Sequence, residues 1–391
     1  MKIGILTFHR AVNYGAVMQA YSLLTQLQHD FPEDEIEIID YNCKEREWFK
    51  KKCPLVFLYR RSIIQGIQKY RQTKIFNQFL SYLKLSRSYL SVTNQNVENA
   101  MTNNYDMVIV GSDAVFNWED IGLPNPYFLG ETKVPHKFTY AASAHLQEYE
   151  NITPKQMDYL STCLGQFEYI GVRDKSSAHF VQYVAPHAVL PIHNCDPTVF
   201  LNMDFDEMGL QAKLKKHRFN FGKKTIFVML MHSEYATFIR RYFGKDCQIV
   251  ALMDGNPEAD IYLFDLTPFE WAHVFRYGVC LITDYFHGTL LCLKNGIPVM
   301  SIDTSGYFKG HHESKSRDLL YTRLKHPELY VCADELAGEN GYQVFKNRMT
   351  DILQTFDKTL VTQALDEEAK SYQPFYEAIC RVHVRHNYEN V

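Results

Sequence analysis

No run of 18 or more apolar residues occurs in the 391-residue chain, which excludes a helix of ordinary membrane-spanning length. A basic-then-apolar leader is also missing: Met1-Lys2 runs straight into a short strand-like segment, and the expected location is the cytoplasm. The nine cysteines include no C-x-x-C pair, so they read as reduced core thiols, with neither a disulfide framework nor a structural zinc site. There is no G-x-G-x-x-G, no Walker phosphate loop and no internal repeat, which removes support for a dinucleotide enzyme or kinase of the usual kind. Charge of one sign is scarce as well. Lys and Arg total 41 against 45 Asp and Glu, a net charge of −4, and a chain built to coat nucleic acid is not expected. What is abundant is ordinary core material, 46% hydrophobic with 26 Tyr and 26 Phe, in a chain long enough for two domains.

The most informative stretch is Val279 to Ile302. An apolar run of strand length breaks at Thr283-Asp284, resumes at helical length through Leu293, stops at Gly296 and Pro298, and leads into a second strand. This is a β-α-β unit, whose first turn lies at the carboxyl edge of a parallel sheet, where open α/β folds bind ligands. Tyr285, Phe286, His287, Gly288 and Thr289 occupy that turn. Free backbone N–H groups, the helix dipole and a titratable imidazole make it a candidate phosphate site. A His and a Gly at such a turn equally suit a cap and a tight bend.

Other segments repeat the style. Lys2 to Phe8 reads as a buried strand, His9 to Ala16 as a glycine-bearing loop, Ala16 to His29 as a helix and Ile36 to Tyr41 as a strand. Asn13 and Tyr14 therefore fall on a ligand-facing loop, where an Asn cap is the plain alternative. Residues 44 to about 100 are basic and aromatic, from Lys44 and Trp48 to Lys74 and Tyr82, and read as a helical insertion, either a solvated face or a contact with an anionic membrane surface. The strand Tyr105 to Gly111 delivers Ser112 and Asp113, and Tyr169 to Val172 delivers Arg173 and Asp174. Asn202 to Lys224 is the expected linker. A second alternation of strands and helices then runs from Thr225, with Val344 to Leu365 and Glu367 to His386 helical and the last helix packing back across the domain boundary. The expected fold class is α/β, two Rossmann-like domains over residues 1–201 and 225–370 facing a cleft.

Several of these pieces together resemble one family. They are Gly4 to His9 with Asn13-Tyr14-Gly15-Ala16-Val17-Met18-Gln19-Ala20, Val110-Gly111-Ser112-Asp113 with Phe116-Asn117, and Tyr140-Ala141-Ala142-Ser143. Val172 to Ser176, Cys195-Asp196-Pro197-Thr198, Thr283 to Thr289 and Arg317-Asp318-Leu319-Leu320 complete the set. In order and spacing the chain resembles polysaccharide pyruvyl transferases from residue 4 to residue 320. The resemblance implies a GT-B-like pair of domains, phosphoenolpyruvate as donor, and a sugar or lipid-linked oligosaccharide with two suitably placed hydroxyls as acceptor. It implies that His287 lies in the carboxyl-half donor site and that Arg173 meets the donor from the amino half. Many relatives carry Arg two residues before that histidine. Here Tyr285 stands in its place, and Arg317, Lys309, His311 and His312 are the nearest cations in sequence.

Forming a ketal from phosphoenolpyruvate needs proton delivery to the methylene carbon, deprotonation of an attacking hydroxyl and departure of phosphate, and no metal or cofactor is expected. Converging cations should hold the donor's phosphate and carboxylate, with Arg173 suited to a bidentate contact. His287 and Asp113 are the expected catalytic groups. Arg173, His287, Gly288, Thr289, Arg317 and Tyr285 are the expected donor contacts, and Asn13, Tyr14 and Asp113 the expected acceptor contacts. Asp196 suits either activation of a hydroxyl or turn capping. Two other classes share the architecture: a glycosyltransferase using a nucleotide sugar, and a non-catalytic saccharide-binding relative. A lipid-linked acceptor would bring the protein to the inner face of the membrane.

Overall fold

The structure is a computed structural model, and it describes residues 1–42, 63–90, 93–144, 151–202, 205–231, 233–253, 255–304 and 313–389. Two six-stranded sheets dominate it. The first contains β1 (Lys2–Leu6), β2 (Glu35–Ile38), β5 (Met107–Val110), β6 (His136–Ala142), β7 (Tyr169–Val172) and β8 (Ile192–His193), in the order β2-β1-β5-β6-β7-β8. A small parallel pair, β3 (Tyr41–Asn42) with β4 (Tyr89–Leu90), lies apart from it. The second sheet contains β9 (Thr225–Met229), β10 (Gln248–Leu252), β11 (Ile261–Leu263), β12 (Cys280–Thr283), β13 (Val299–Asp303) and β14 (Tyr330–Cys332), in the order β11-β10-β9-β12-β13-β14.

Every pairing is parallel. Parallel sheets are covered by helices on both faces, so their strands read as continuous apolar runs, and Met-Val-Ile-Val of β5 and Cys-Leu-Ile-Thr of β12 are buried throughout. The second sheet has the doubly wound order 3-2-1-4-5-6 of a Rossmann fold. Its strand order reverses between β9 and β12, and the first sheet reverses between β1 and β5. The loops leaving β1, β5, β9 and β12 therefore sit at switch points, and the two sets face each other.

The apposition of the halves is apolar at its centre. Tyr14, on the helix Tyr14–Asp30, stacks on Trp271 with ring centroids 4.9 Å apart and planes 9° from parallel, and its hydroxyl donates to the Leu266 carbonyl at 2.8 Å. The C-terminal helix, Gln373–Glu389, lies against the first sheet: Phe375 packs on Phe138, Tyr140 and Tyr169, and His383 pairs with Asp34 at 2.6 Å.

Some local expectations give way. The expected linker contains a helix, Glu207–Lys216, because Asp206 caps it and Leu210 and Leu214, four apart, find a buried face. The single helix expected from Val344 to Leu365 is two, Gly341–Thr355 and Lys358–Ala369, since Asp357 caps the second by accepting from Thr359 and Leu360 N–H. The strand expected to reach Tyr41 leaves the large sheet after Ile38. Of the basic, aromatic stretch, residues 43–62 lie outside the described residues, and the helix Ile63–Phe79 follows them.

Candidate functional site

The turn after β12 is held by its own strand neighbours. The Thr283 hydroxyl donates to Met229 O at 2.8 Å and accepts from Tyr285 N–H at 3.0 Å, while the Asp284 carboxylate accepts from Met231 N–H. This fixes the start of the helix Phe286–Lys294 and places His287 in its first turn. Gly288 sits where a Cβ would come within 2.9 Å of Thr283 Oγ1, and buried Thr289 donates to Ser301 Oγ at 2.9 Å, so these two lock the helix to the sheet. Tyr285 is half-buried at the N-cap and contributes no side-chain cap.

His287 reaches across to the first sheet. Its Nε2 lies 3.3 Å from Asp196 Oδ2 and meets the side-chain amide of Gln19 on the first helix. The ring rests on Gly15, where a Cβ would stand 2.0 Å from Nδ1, so no larger residue could occupy that position without displacing the imidazole. Asp196 does double duty. Its Oδ1 accepts from Thr198 N–H at 3.0 Å and Thr198 Oγ1 at 2.6 Å, and its Oδ2 accepts from Arg173 Nη1 at 2.9 Å as well as facing His287. Burial disfavours its charge, but His287, Arg173 and the Thr198 hydroxyl outweigh burial and hold the carboxyl well below the usual range.

Arg173, at the end of β7, is 4% exposed. Its guanidinium lies 4.8 Å from the Phe286 ring centroid, and Nη2 is 3.8 Å from Asp113 Oδ1, beyond hydrogen-bond reach. Nε and Nη2 are buried with no hydrogen-bond partner among the described residues. Buried donors are almost always satisfied, so two orphans on one guanidinium point to a missing acceptor. Asp113 adopts φ 83°, a left-handed conformation uncommon outside glycine, and its Oδ1 accepts from the Ala114 N–H at 2.8 Å. Against the burial that raises it, Arg173, His287 and Lys315 hold its carboxyl below the usual range.

Lys315 Nζ lies 5.7 Å from the centroid of the same Phe286 ring, and burial, reinforced by Arg173, pushes the ammonium below the ordinary lysine range. Arg173, Asp196, Phe286, Lys315, Asp174 and Asp318 line one cavity between the halves.

Position by position, the structure brings together His287, Arg173 and Asp113 and leaves other expected residues apart. Arg317 stacks on Tyr321, with its guanidinium 4.3 Å from the ring centroid, and pairs with Glu313 at 3.2 Å. Tyr14 is 1% exposed, with its ring and hydroxyl both engaged in the domain contact, so it has no surface left for an acceptor. Asn13 caps the first helix by accepting from Ala16 N–H at 3.2 Å. Lys309, His311 and His312 lie outside the described residues. Reading the sequence misses Gln19, Gly15 and Lys315 and undervalues Asp196. Gln19 alone carried a signal, an amide inside the apolar run Ala16-Val17-Met18 that would need a buried partner.

The model of the family described as polysaccharide pyruvyl transferase matches residues 13–306. No curated protein matches the chain in sequence. Among solved structures, UDP-GlcNAc 2-epimerase from Methanocaldococcus jannaschii superposes with TM-score 0.52 at 8% identity, covering 96% of this chain and 99% of that one. The S. aureus MnaA–UDP structure gives TM-score 0.51 at 10% identity, covering 100% and 97%, and Anabaena HepE in complex with UDP gives 0.50 at 7%, covering 100% of both. At such identities the likeness is one of fold, and it fits the GT-B-like pair of Rossmann-like sheets.

Proposed function

Because the chain belongs to the polysaccharide pyruvyl transferase family, we propose that it transfers the pyruvyl group of phosphoenolpyruvate to two hydroxyls of a cell-surface sugar or its lipid-linked precursor, forming a ketal and releasing phosphate. The observation that carries this reading is the orphaned pair of Arg173 donors, buried beside a second cation in the cavity between the halves. Phosphoenolpyruvate brings a carboxylate and a phosphate with a charge of roughly −3, and charge-assisted bonds from Arg173 and Lys315 would supply what both sides lack. Binding would also return the Lys315 ammonium toward its ordinary range. Lys315, rather than Arg317, then compensates for Tyr285.

In this reading a proton moves to the donor's methylene carbon and the first sugar hydroxyl loses its proton as its oxygen bonds to the central carbon. The second hydroxyl oxygen then replaces the phosphate oxygen, and inorganic phosphate leaves. His287 suits proton transfer, and Asp113 and Asp196, held ionised by His287 and Arg173, suit electrostatic stabilisation of the positive charge that develops at the central carbon. Phosphate release from phosphoenolpyruvate, measured with galactose-, mannose- and glucuronate-containing acceptors, tests the proposal. Acceptor-dependent release that folded His287→Ala and Arg173→Ala variants lack supports it, and no release with any acceptor opposes it.

We further propose that the protein works at the inner face of the membrane. No described helix is long and apolar enough to cross one. The helix Ile63–Phe79 exposes Ile63, Ile67 and Tyr70 beside Arg71 and Lys74, a combination that suits an anionic lipid surface. Charge reversal of Lys50, Lys51 and Lys52 should release the protein from anionic liposomes in a flotation assay, and unchanged flotation would refute the contact.

A further inference from the structure

Among the described residues, the polar side chains that meet the His287 ring come from the other half of the molecule. Gln19 lies on the helix Tyr14–Asp30, Gly15 one turn earlier on the same helix, and Asp196 after β8. Asp196 Oδ2 already accepts from Arg173 and can only accept, so the hydrogen between it and the imidazole belongs to His287 Nε2. An N–H at that position cannot take a hydrogen from the Gln19 amide nitrogen. Yet in the amide orientation that puts nitrogen at the ring, Gln19 Oε1 is buried with no partner among the described residues. Turning the amide about its last bond removes the clash of two donors at the ring, because Oε1 then accepts from Nε2–H alongside Asp196. Nδ1 meanwhile faces the backbone at Gly15, the one place where a Cβ would fill the space the ring occupies.

We infer that Gln19 and Gly15 form a seat on the amino half that fixes the tautomer and orientation of His287, so that the imidazole becomes competent only when the two halves are apposed. This rests on the pyruvyl-transfer reading for its kinetic consequence, though not for the contact itself. Gln19 is a positioning residue: it acts through His287. It is an uncharged acceptor beside Asp196, and this keeps the hydrogen on Nε2 without adding a second negative charge.

The test uses the full-length protein with 15N-labelled histidine. Gln19→Met keeps the length and removes the acceptor, and Gln19→Glu restores an acceptor oxygen. Gln19→Met should move the His287 nitrogen resonances toward the mixed-tautomer pattern of free imidazole. It should also lower kcat for phosphate release roughly 10- to 100-fold while KM for phosphoenolpyruvate stays within about twofold. Gln19→Glu should return the Nε2 resonance to the protonated range. Unchanged His287 resonances in folded Gln19→Met would overturn the inference, as would a loss confined to KM. Should the natural protein release no phosphate, the function reading fails while the resonances still judge the seat.

Discussion

The two sheet edges that meet in the cleft are built from the same parallel α/β frame but prepare their polar groups differently. On the amino side the carboxylates find partners within their own half, Asp196 in Thr198 and Arg173, Asp174 in Ser143 and the Ser177 hydroxyl and N–H, while Nε and Nη2 of Arg173 stay open among the described residues. On the carboxyl side His287 and Lys315 have little at home. The partners of His287 lie across the boundary, and the charged neighbours of Lys315, namely Arg173, Asp113, Asp174 and Asp196, do too. One edge holds its carboxylates in place and leaves two Arg173 donors open, and the other brings groups completed by apposition.

Breaking the cradle should cost most. Arg173→Met removes one partner of a buried ion pair and leaves Asp196 and Asp113 facing each other. It should lower stability by about 3–5 kcal/mol in urea unfolding and abolish donor binding. Gly15→Ala drives a methyl into the imidazole and should reduce turnover by ~10²-fold or more in protein whose circular dichroism is unchanged. Lys315→Met and Arg317→Met sharpen the comparison within one short segment. The first should raise KM for the donor at least tenfold yet raise the melting temperature of the unliganded protein, because it removes a desolvated charge, whereas the second should leave KM within twofold.

Acid should act on the cradle selectively. The Asp196 and Asp113 carboxyls lie below their unfolded values, so the stability they contribute is complete above the usual carboxylate range near about 4 and is lost as pH falls through the lower folded values. Urea midpoints taken downward from pH 5 should therefore fall, and the fall should be shallower in Asp196→Asn. The smallest effect is expected from Tyr14→Phe, which loses the hydroxyl's bonds to Leu266 O and Gln72, about 1–2 kcal/mol, and keeps the stack on Trp271.

Much of the frame was legible because parallel strands buried on both faces are written as apolar runs, and β5, β9 and β12 announce themselves. His287 and Asp113 stood out as candidates because they follow such runs, and Arg173, with His287, because of the family resemblance. Lys315 was not: it lies two residues from Arg317, and the fold sets the first beside Phe286 in the cavity and the second on Tyr321 and Glu313. Tyr14 reads as a loop residue near the ligand, and nothing local shows that Trp271, 257 positions later, covers it. Gly15 and Gln19 answer to a histidine more than 260 residues away, a constraint no local period records.

The most direct measurement is calorimetric titration of phosphoenolpyruvate, and separately of UDP, into the natural protein and into Lys315→Met. The account predicts that phosphoenolpyruvate binds the natural protein, that Lys315→Met weakens it at least tenfold, and that UDP gives no heat of binding. Tight binding of UDP with none of phosphoenolpyruvate would contradict it and favour a nucleotide-sugar enzyme on the same fold.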